Sequence, residues 1–249
     1  MTMILRPFDE FRQPNNLTIL WLSTDDRNQQ IPEAWCRLWN SCPRRFCTDG
    51  AANRLHILCE AKRTLHPTVI SGDFDSIEQK SLDYFKSMST ILKTPDQDYT
   101  DLSKALRLIA DSPESNNGET RSILILGGLN GRFDHTLSTL NSMLTFITEK
   151  RLACYVVDAN NLVTIIPHGA TEIYIDRSHL TGKCGLMPLC QRETQVSTQG
   201  FQWNLTNQLL EYGGVISSCN IVVDERLRIE TTTPIVFTCE LKSPEMLVN

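Results

Sequence analysis

The sequence predicts an N-terminal open, mostly parallel α/β sandwich followed by a smaller antiparallel β-sandwich. Three observations carry that prediction. From residue 17 to about 157, short β-rich runs alternate with stretches of helical period, the pattern of parallel strands with helices on both faces. After about residue 160 the helical period fades, and short alternating segments are separated by Gly, Pro, Asn and Asp. The 249 residues, 41% hydrophobic and 21% charged, suffice to bury one large core or two modest ones. The division is expected near residue 165, giving segments 1–165 and 166–249.

In the first segment, "LTILWLS" is followed by "PEAWCRLWN", "RFCT" by "AANRLHILCEA", and "TVIS" by "SIEQKSLDYFK". "STILK" is followed by "DLSKALRLIA", "SILILGG" by "FDHTLSTLNSMLTFITEK", and "ACYVVD" closes the series. In the last of these helices Phe133, Leu137, Leu140, Leu144 and Ile147 recur at spacings of four and three, which predicts one apolar stripe facing the sheet. "DSPESNNGET" (111–120) is rich in turn residues and reads as a surface loop. In the second segment "TEIYID", "TQVSTQG", "FQWNLT", "NIVVDERLRIE" and "PIVFTCE" read as short strands.

Composition excludes several classes of function. A net charge of −5, with no long Lys/Arg run, argues against nucleic acid as a partner. No stretch approaches the roughly 20 apolar residues that cross a bilayer, and the opening apolar run is broken by Arg6 and Pro7 with no cleavage signal. A soluble, cytoplasmic protein is expected. Nine scattered cysteines contain no C-x-x-C pair and read as reduced, mostly buried thiols.

Ligands of an open α/β sheet bind beyond the carboxyl ends of its strands. Three of the loops there are unusual. Asp73 and Asp75 follow "TVIS", Asp96, Asp98 and Asp101 follow "STILK", and "GGLNGRFDH" with Gly127, Gly128, Gly131, Arg132 and Asp134 follows "SILIL". Six carboxylates converging on one rim repel one another unless cations neutralise them. Mg²⁺, which takes carboxylate oxygens and bridges to phosphates, is the expected ion. The D-x-D spacing places Asp73 and Asp75 on one side of an extended loop. Asp98 and Asp101 share the first turn of a helix if it begins near Tyr99. Helix capping by Asp75, Ser76, Asp98 or Thr100 is the alternative use of these residues. The glycine-rich turn and Arg132 suit phosphate oxygens, although the segment is neither a P-loop nor a full dinucleotide fingerprint.

Taken in order, "DGAANRL" (49–55), "SGDFDS" (71–76), "DQDYTDLSKAL" (96–106), "GGLNGRFDH" (127–135), "CGLMPL" (184–189), "GFQWNL" (200–205) and "GGVISSCN" (213–220) resemble the thiamin pyrophosphokinase family. The resemblance spans residues 17 to 240 and implies an ATP- and Mg²⁺-binding α/β domain over 1–165. It also implies a thiamin-binding, dimerising β-sandwich over 166–249, with active sites between the subunits of a homodimer. Asp73, Asp75, Asp98 and Asp101 would form the metal-binding set, with Arg132 and Asp134 serving the phosphates and the reacting centre. Asp49, Asn53, Gln97 and Gly128 would line the nucleotide side. Trp203 would stack on the thiamin rings beside Ser217 and Ser218, and a thiazolium cation suits an aromatic face. The family usually shows "DGGAN" where this chain has Ala51, and a position that needs positive φ would strain an alanine.

The implied reaction is attack of the thiamin hydroxyl on the β-phosphorus of ATP, giving thiamin diphosphate and AMP, with Asp98 or Asp134 near the hydroxyl. Two other readings are open. "TVISGDFDSI" also resembles the nucleophile loop of haloacid-dehalogenase phosphatases, which are Mg²⁺-dependent, with Asp73 as nucleophile and Asp75 as acid. A non-catalytic thiamin or nucleotide sensor would keep the pocket without the chemistry.

Overall fold

The apolar runs of the first segment become the buried centre of a ten-stranded sheet. The computed structural model describes residues 2–22, 30–116, 122–190 and 192–248. In chain order these form β1 (Met3–Leu5), α1 (Pro7–Phe11), β2 (Leu17–Trp21), α2 (Glu33–Ser41), β3 (Arg44–Thr48) and α3 (Asp49–Glu60). There follow β4 (Val69–Gly72), α4 (Gln79–Phe85), β5 (Thr90–Lys93), α5 (Asp101–Ala110), α6 (Pro113–Asn116), β6 (Ser122–Leu126) and α7 (Phe133–Lys150). The rest is β-rich: β7 (Ala153–Asp158), β8 (Asn161–Ile166), β9 (Gly169–Tyr174), β10 (Leu180–Pro188) and β11 (Thr194–Gln199). β12 (Gln208–Leu210), β13 (Ser217–Ile221), β14 (Arg226–Thr231) and β15 (Ile235–Leu241) complete it.

The large sheet has the order β13-β10-β15-β8-β7-β6-β2-β3-β4-β5. Its six strands from β7 to β5 are parallel, and β8, β15, β10 and β13 extend it antiparallel. Hydrogen bonding therefore continues through β8 across residue 165. The second sheet, β1-β9-β14-β11-β12, is antiparallel except for β1, which pairs parallel with β9. A strand from the extreme N-terminus thus belongs to the sheet built mainly from residues beyond 165.

Both faces of the large sheet are covered at its central strands β2, β6 and β7, as their unbroken apolar runs require. On one face α5 and α7 pack Leu106, Ile109, Met143, Phe146 and Ile147 onto Leu20, Ile123, Ile125 and Val156. On the other, α1 to α3 and the inner side of the second sheet share a continuous core, in which Trp21 meets Trp35 and Trp39 edge to face at 5.7 and 5.4 Å.

Four expectations are corrected. The first turns of α7 do not face the sheet: Phe133 is 74% and Leu137 49% exposed, while Thr139, Ser142, Met143, Phe146 and Ile147 are buried. The 18 residues of α7 span about 27 Å against about 17 Å for the five residues of β6, so its N-terminal turns project past the carboxyl rim. "FQWNLT" is not a strand but a bend with one isolated bridge, Phe201 to Val222, because Asn204 Oδ1 accepts from Phe201 N and turns the chain. The span 111–120 contains the short helix α6, and residues 117–120 lie outside the described residues. Ala51 sits in the first turn of α3, without positive φ and buried in the core, so its methyl imposes no backbone strain.

Replacing Trp21 with Ala empties the space between two indoles and is expected to cost about 3–5 kcal/mol of unfolding free energy. Urea denaturation measures it, and a loss below about 1 kcal/mol would contradict this packing.

Candidate active site

The carboxyl ends of β3, β4 and β5 deliver three loops to one rim. Asp49 stands at the β3–α3 junction, Asp73 directly after β4, and Asp101 at the first position of α5. Carboxylate oxygens of Asp49, Asp73 and Asp101 lie within 4.8 Å of one another, the one such group among the described residues. Of the four carboxylates expected at the metal, Asp73 and Asp101 are therefore brought together. Asp75 and Asp98 are not in the group, and Asp49 takes a place that the sequence reading gave to the nucleotide side.

Local backbone explains the sorting. Phe74 has φ of +70°, and Asp75 N donates to Asp73 Oδ1 at 3.1 Å, so D-x-D is a tight turn and not an extended loop. Asp75 lies outside the three-residue group and accepts from Ser76 Oγ at 2.7 Å. Helix α5 starts at Asp101 and not near Tyr99, because Thr100 caps it by accepting from Ser103 N at 3.1 Å. Asp98 stays in the exposed loop before it, where its N–H donates to Asp96 Oδ1.

Each member of the group has fixed supports. Asp49 accepts from Gly50 N at 2.7 Å and Ser76 N at 3.3 Å. Gln97 Nε2 donates to Asp73 Oδ2 at 2.9 Å. Asp101 Oδ1 lies 2.8 Å from the Lys104 ammonium, yet no donor reaches this buried oxygen in hydrogen-bond geometry. Asn53 ties the rim to α3 by donating to Ser76 O and accepting from Glu78 N, both at 2.8 Å. Gly72 permits the close approach: a Cβ there would stand 2.6 Å from Asp49 Cγ.

The charge pattern follows from these contacts. Burial, with Asp101 and Asp73 adding like charge, pushes the Asp49 carboxyl up. The Gln97 amide and the Asp75 N–H hold Asp73 down. Three hard oxygen donors at this spacing, one of them buried without a hydrogen-bond donor, fit a small divalent cation of the Mg²⁺ type.

The Gly-rich loop after β6 lies on the same rim. Gly127, Gly128 and Gly131 all have positive φ, and a Cβ on Gly128 would meet Leu22 at 2.7 Å. Leu129 N donates to the buried Asp158 Oδ2 at 2.8 Å. Arg132 and Asp134 form an exposed pair at the N-terminus of α7, which holds Asp134 below the usual carboxylate range. Asp158 was missed by the sequence reading, although the signal was present: like Asp49 it is an aspartate at the carboxyl end of a parallel strand.

Trp203, Ser217 and Ser218 form a separate region. Asn220 fixes the Trp203 backbone by accepting from its N–H at 3.2 Å and donating to its carbonyl at 2.8 Å, and it also donates to Ser217 Oγ at 3.3 Å. Trp203 is 55% exposed. These residues sit at the β13 edge of the large sheet and the carboxylates near its β5 edge. At about 4.8 Å per strand, the separation within one chain is on the order of 35 Å.

Comparison with known proteins follows this geometry. Residues 35–156 match the family profile described as thiamin pyrophosphokinase, catalytic domain, and residues 170–236 that described as thiamin pyrophosphokinase, vitamin B1 binding domain. The chain is 35% identical over 243 residues to thiamin pyrophosphokinase 1 of Caenorhabditis elegans, covering 98% of this chain and 97% of the relative. It is 32% identical to thiamine pyrophosphokinase 1 of Oryza sativa subsp. japonica, covering 87% and 86%. Among solved structures, thiamin pyrophosphokinase from Candida albicans superposes with a TM-score of 0.81 at 22% identity, covering 97% of this chain and 94% of that one. The yeast enzyme superposes with a TM-score of 0.80 at 25% identity, covering 98% and 93%.

Gly72→Ala is expected to displace the Asp49 carboxylate while the far-UV circular dichroism stays unchanged. Titration of the metal-free protein with Mn²⁺, followed by electron paramagnetic resonance, should show affinity weakened about tenfold or more. Undiminished binding would contradict the role given to the glycine.

Proposed function

The chain belongs to the thiamin pyrophosphokinase family, and from that premise we propose that it transfers diphosphate from ATP to the hydroxyl of thiamin, giving thiamin diphosphate and AMP. The observation that carries the reading is the grouping of Asp49, Asp73 and Asp101 within 4.8 Å on the carboxyl rim of a chain with that ancestry.

In this reading Asp49, Asp73 and Asp101 hold Mg²⁺, which when bound supplies neutralising charge for the triphosphate. Asp75 and Asp98 are exposed in the same loops and would serve the substrate from outside the group. Gln97 and Asn53 keep the loops in place. The amides of the 127–131 loop and the Arg132 guanidinium receive phosphate oxygens, and the N-terminus of α7 adds its positive end. The thiamin hydroxyl attacks the β-phosphorus, the bond from that phosphorus to the α-phosphate oxygen breaks, and AMP departs. The hydroxyl proton goes to a carboxylate. Asp98 is the better candidate, since Asp134 is occupied by Arg132.

Trp203, Ser217 and Ser218 form the thiamin side, with the exposed indole face available to the flat cationic ring. Their distance from the carboxylates within one chain supports a homodimer in which each active site combines the carboxylate rim of one copy with the Trp203 edge of its partner. The exposed Phe133 and Leu137 on the rim suit contact with that second copy. This division of labour keeps residues 1–165 as the nucleotide and metal part and 166–249 as the thiamin and dimerisation part. Among the described residues no helix is long and apolar enough to cross a membrane. All nine cysteines are free thiols, which supports a cytoplasmic setting.

Purified protein incubated with thiamin, ATP and Mg²⁺ should yield thiamin diphosphate and AMP in equal amounts by mass spectrometry, and neither product with EDTA. ADP with thiamin monophosphate would place the attack at the wrong phosphorus. Thiamin binding without either product would return the sensor reading, and phosphate release from a generic ester without ATP the phosphatase reading. Asp73→Asn and Asp101→Asn should each lower turnover by about 100-fold or more while leaving the fold intact.

A further inference from the structure

We propose that Lys104 is the resident counter-charge and positioning residue of the carboxylate group, holding Asp101 and the loop before α5 in register before any metal arrives. The proposal rests on the reading of Asp49, Asp73 and Asp101 as a metal-binding group.

Lys104 is only 8% exposed, and lysines are almost never buried unless their ammonium is paired. It lies one helical turn beyond Asp101, on the same face of α5, with Nζ 2.8 Å from Asp101 Oδ1. The same ammonium donates to Thr94 O at 2.9 Å and Asp96 O at 3.0 Å. Those carbonyls belong to the loop that carries Gln97, and Gln97 holds Asp73. The start of this loop is also bound to β4, since Thr94 N donates to Gly72 O at 2.7 Å. One buried cation therefore links α5, the loop and, through Gln97, a second carboxylate of the group. A lysine that served only to tie down the loop would need the two carbonyls alone. Contact with Asp101 puts a positive charge beside carboxylates that otherwise repel one another.

The test compares wild type, Lys104→Met and Lys104→Arg by thermal unfolding, metal-free and with Mg²⁺. Lys104→Met leaves the carboxylates less compensated, so its metal-free midpoint should fall and its Mg²⁺-induced rise should be roughly twice that of wild type. Lys104→Arg keeps the charge and should return the rise toward the wild-type value. Turnover at saturating Mg²⁺ should drop about tenfold in Lys104→Met with KM for thiamin unchanged, because the loop is no longer fixed. A Mg²⁺-induced rise in Lys104→Met equal to or smaller than that of wild type would overturn the proposal while leaving the metal reading intact. If Lys104→Met gives no cooperative transition, Lys104→Gln is judged by the same comparison. Absence of any Mg²⁺ effect in wild type would remove the metal reading, and this proposal with it.

Discussion

Strand spacing is the constraint on which the rest of this molecule depends. Neighbouring strands cannot approach closer than about 4.8 Å, and β13 and β4 are separated by seven intervening strands of one sheet. The Trp203 edge and the carboxylate rim therefore sit far apart in a single chain. The same continuity ties the two halves together, because β8, β15 and β10 extend the parallel half and share its core, with β13 paired at the edge. Even the first residues join in, with β1 pairing to β9. The proposed site, which draws on both edges, would therefore take them from two copies.

At the carboxylate edge the opposing force is electrostatic. Three carboxylates within 4.8 Å are held by the fold and not by mutual attraction. Asp49 is fixed by amides of its own helix and of the Ser76 turn, and Asp73 by Gln97 and the N–H of Asp75. The left-handed Phe74 and the bare Gly72 make room for this crowding. Backbone strain and like charge concentrated at one rim mark it as a candidate functional site.

The parallel half was legible because period and burial agree there: the predicted helix 101–110 and strand 153–158 coincide with α5 and β7. The sandwich was legible as texture but not strand by strand. "NLVTII" and "LTGKCGLMP" became β8 and β10 without having been read as strands, since short alternating runs carry little signal of their own. The apolar stripe of α7 failed because periodicity reports a helix face without reporting how far the sheet beneath it extends, and Phe133 and Leu137 lie beyond that edge. At the site, residue types pointed to the rim but could not sort its members. Whether Asp75 or Asp49 joins Asp73 depends on one left-handed residue and one missing Cβ, at Phe74 and Gly72. Lys104 reads in the sequence as an ordinary helix lysine, and only the fold of the 94–98 loop around it gives its ammonium three oxygen neighbours.

Co-refolding two inactive variants tests most directly whether each active site draws on two copies of the chain, as proposed. Asp73→Asn damages the carboxylate rim and Trp203→Ala the thiamin side. Mixed in equal amounts, half of the dimers should be heterodimers with one intact site each, so thiamin diphosphate formation should recover to about a quarter of the wild-type rate. No recovery, from a mixture in which heterodimers are demonstrably present, would mean that both halves of the site come from one chain and would contradict the account.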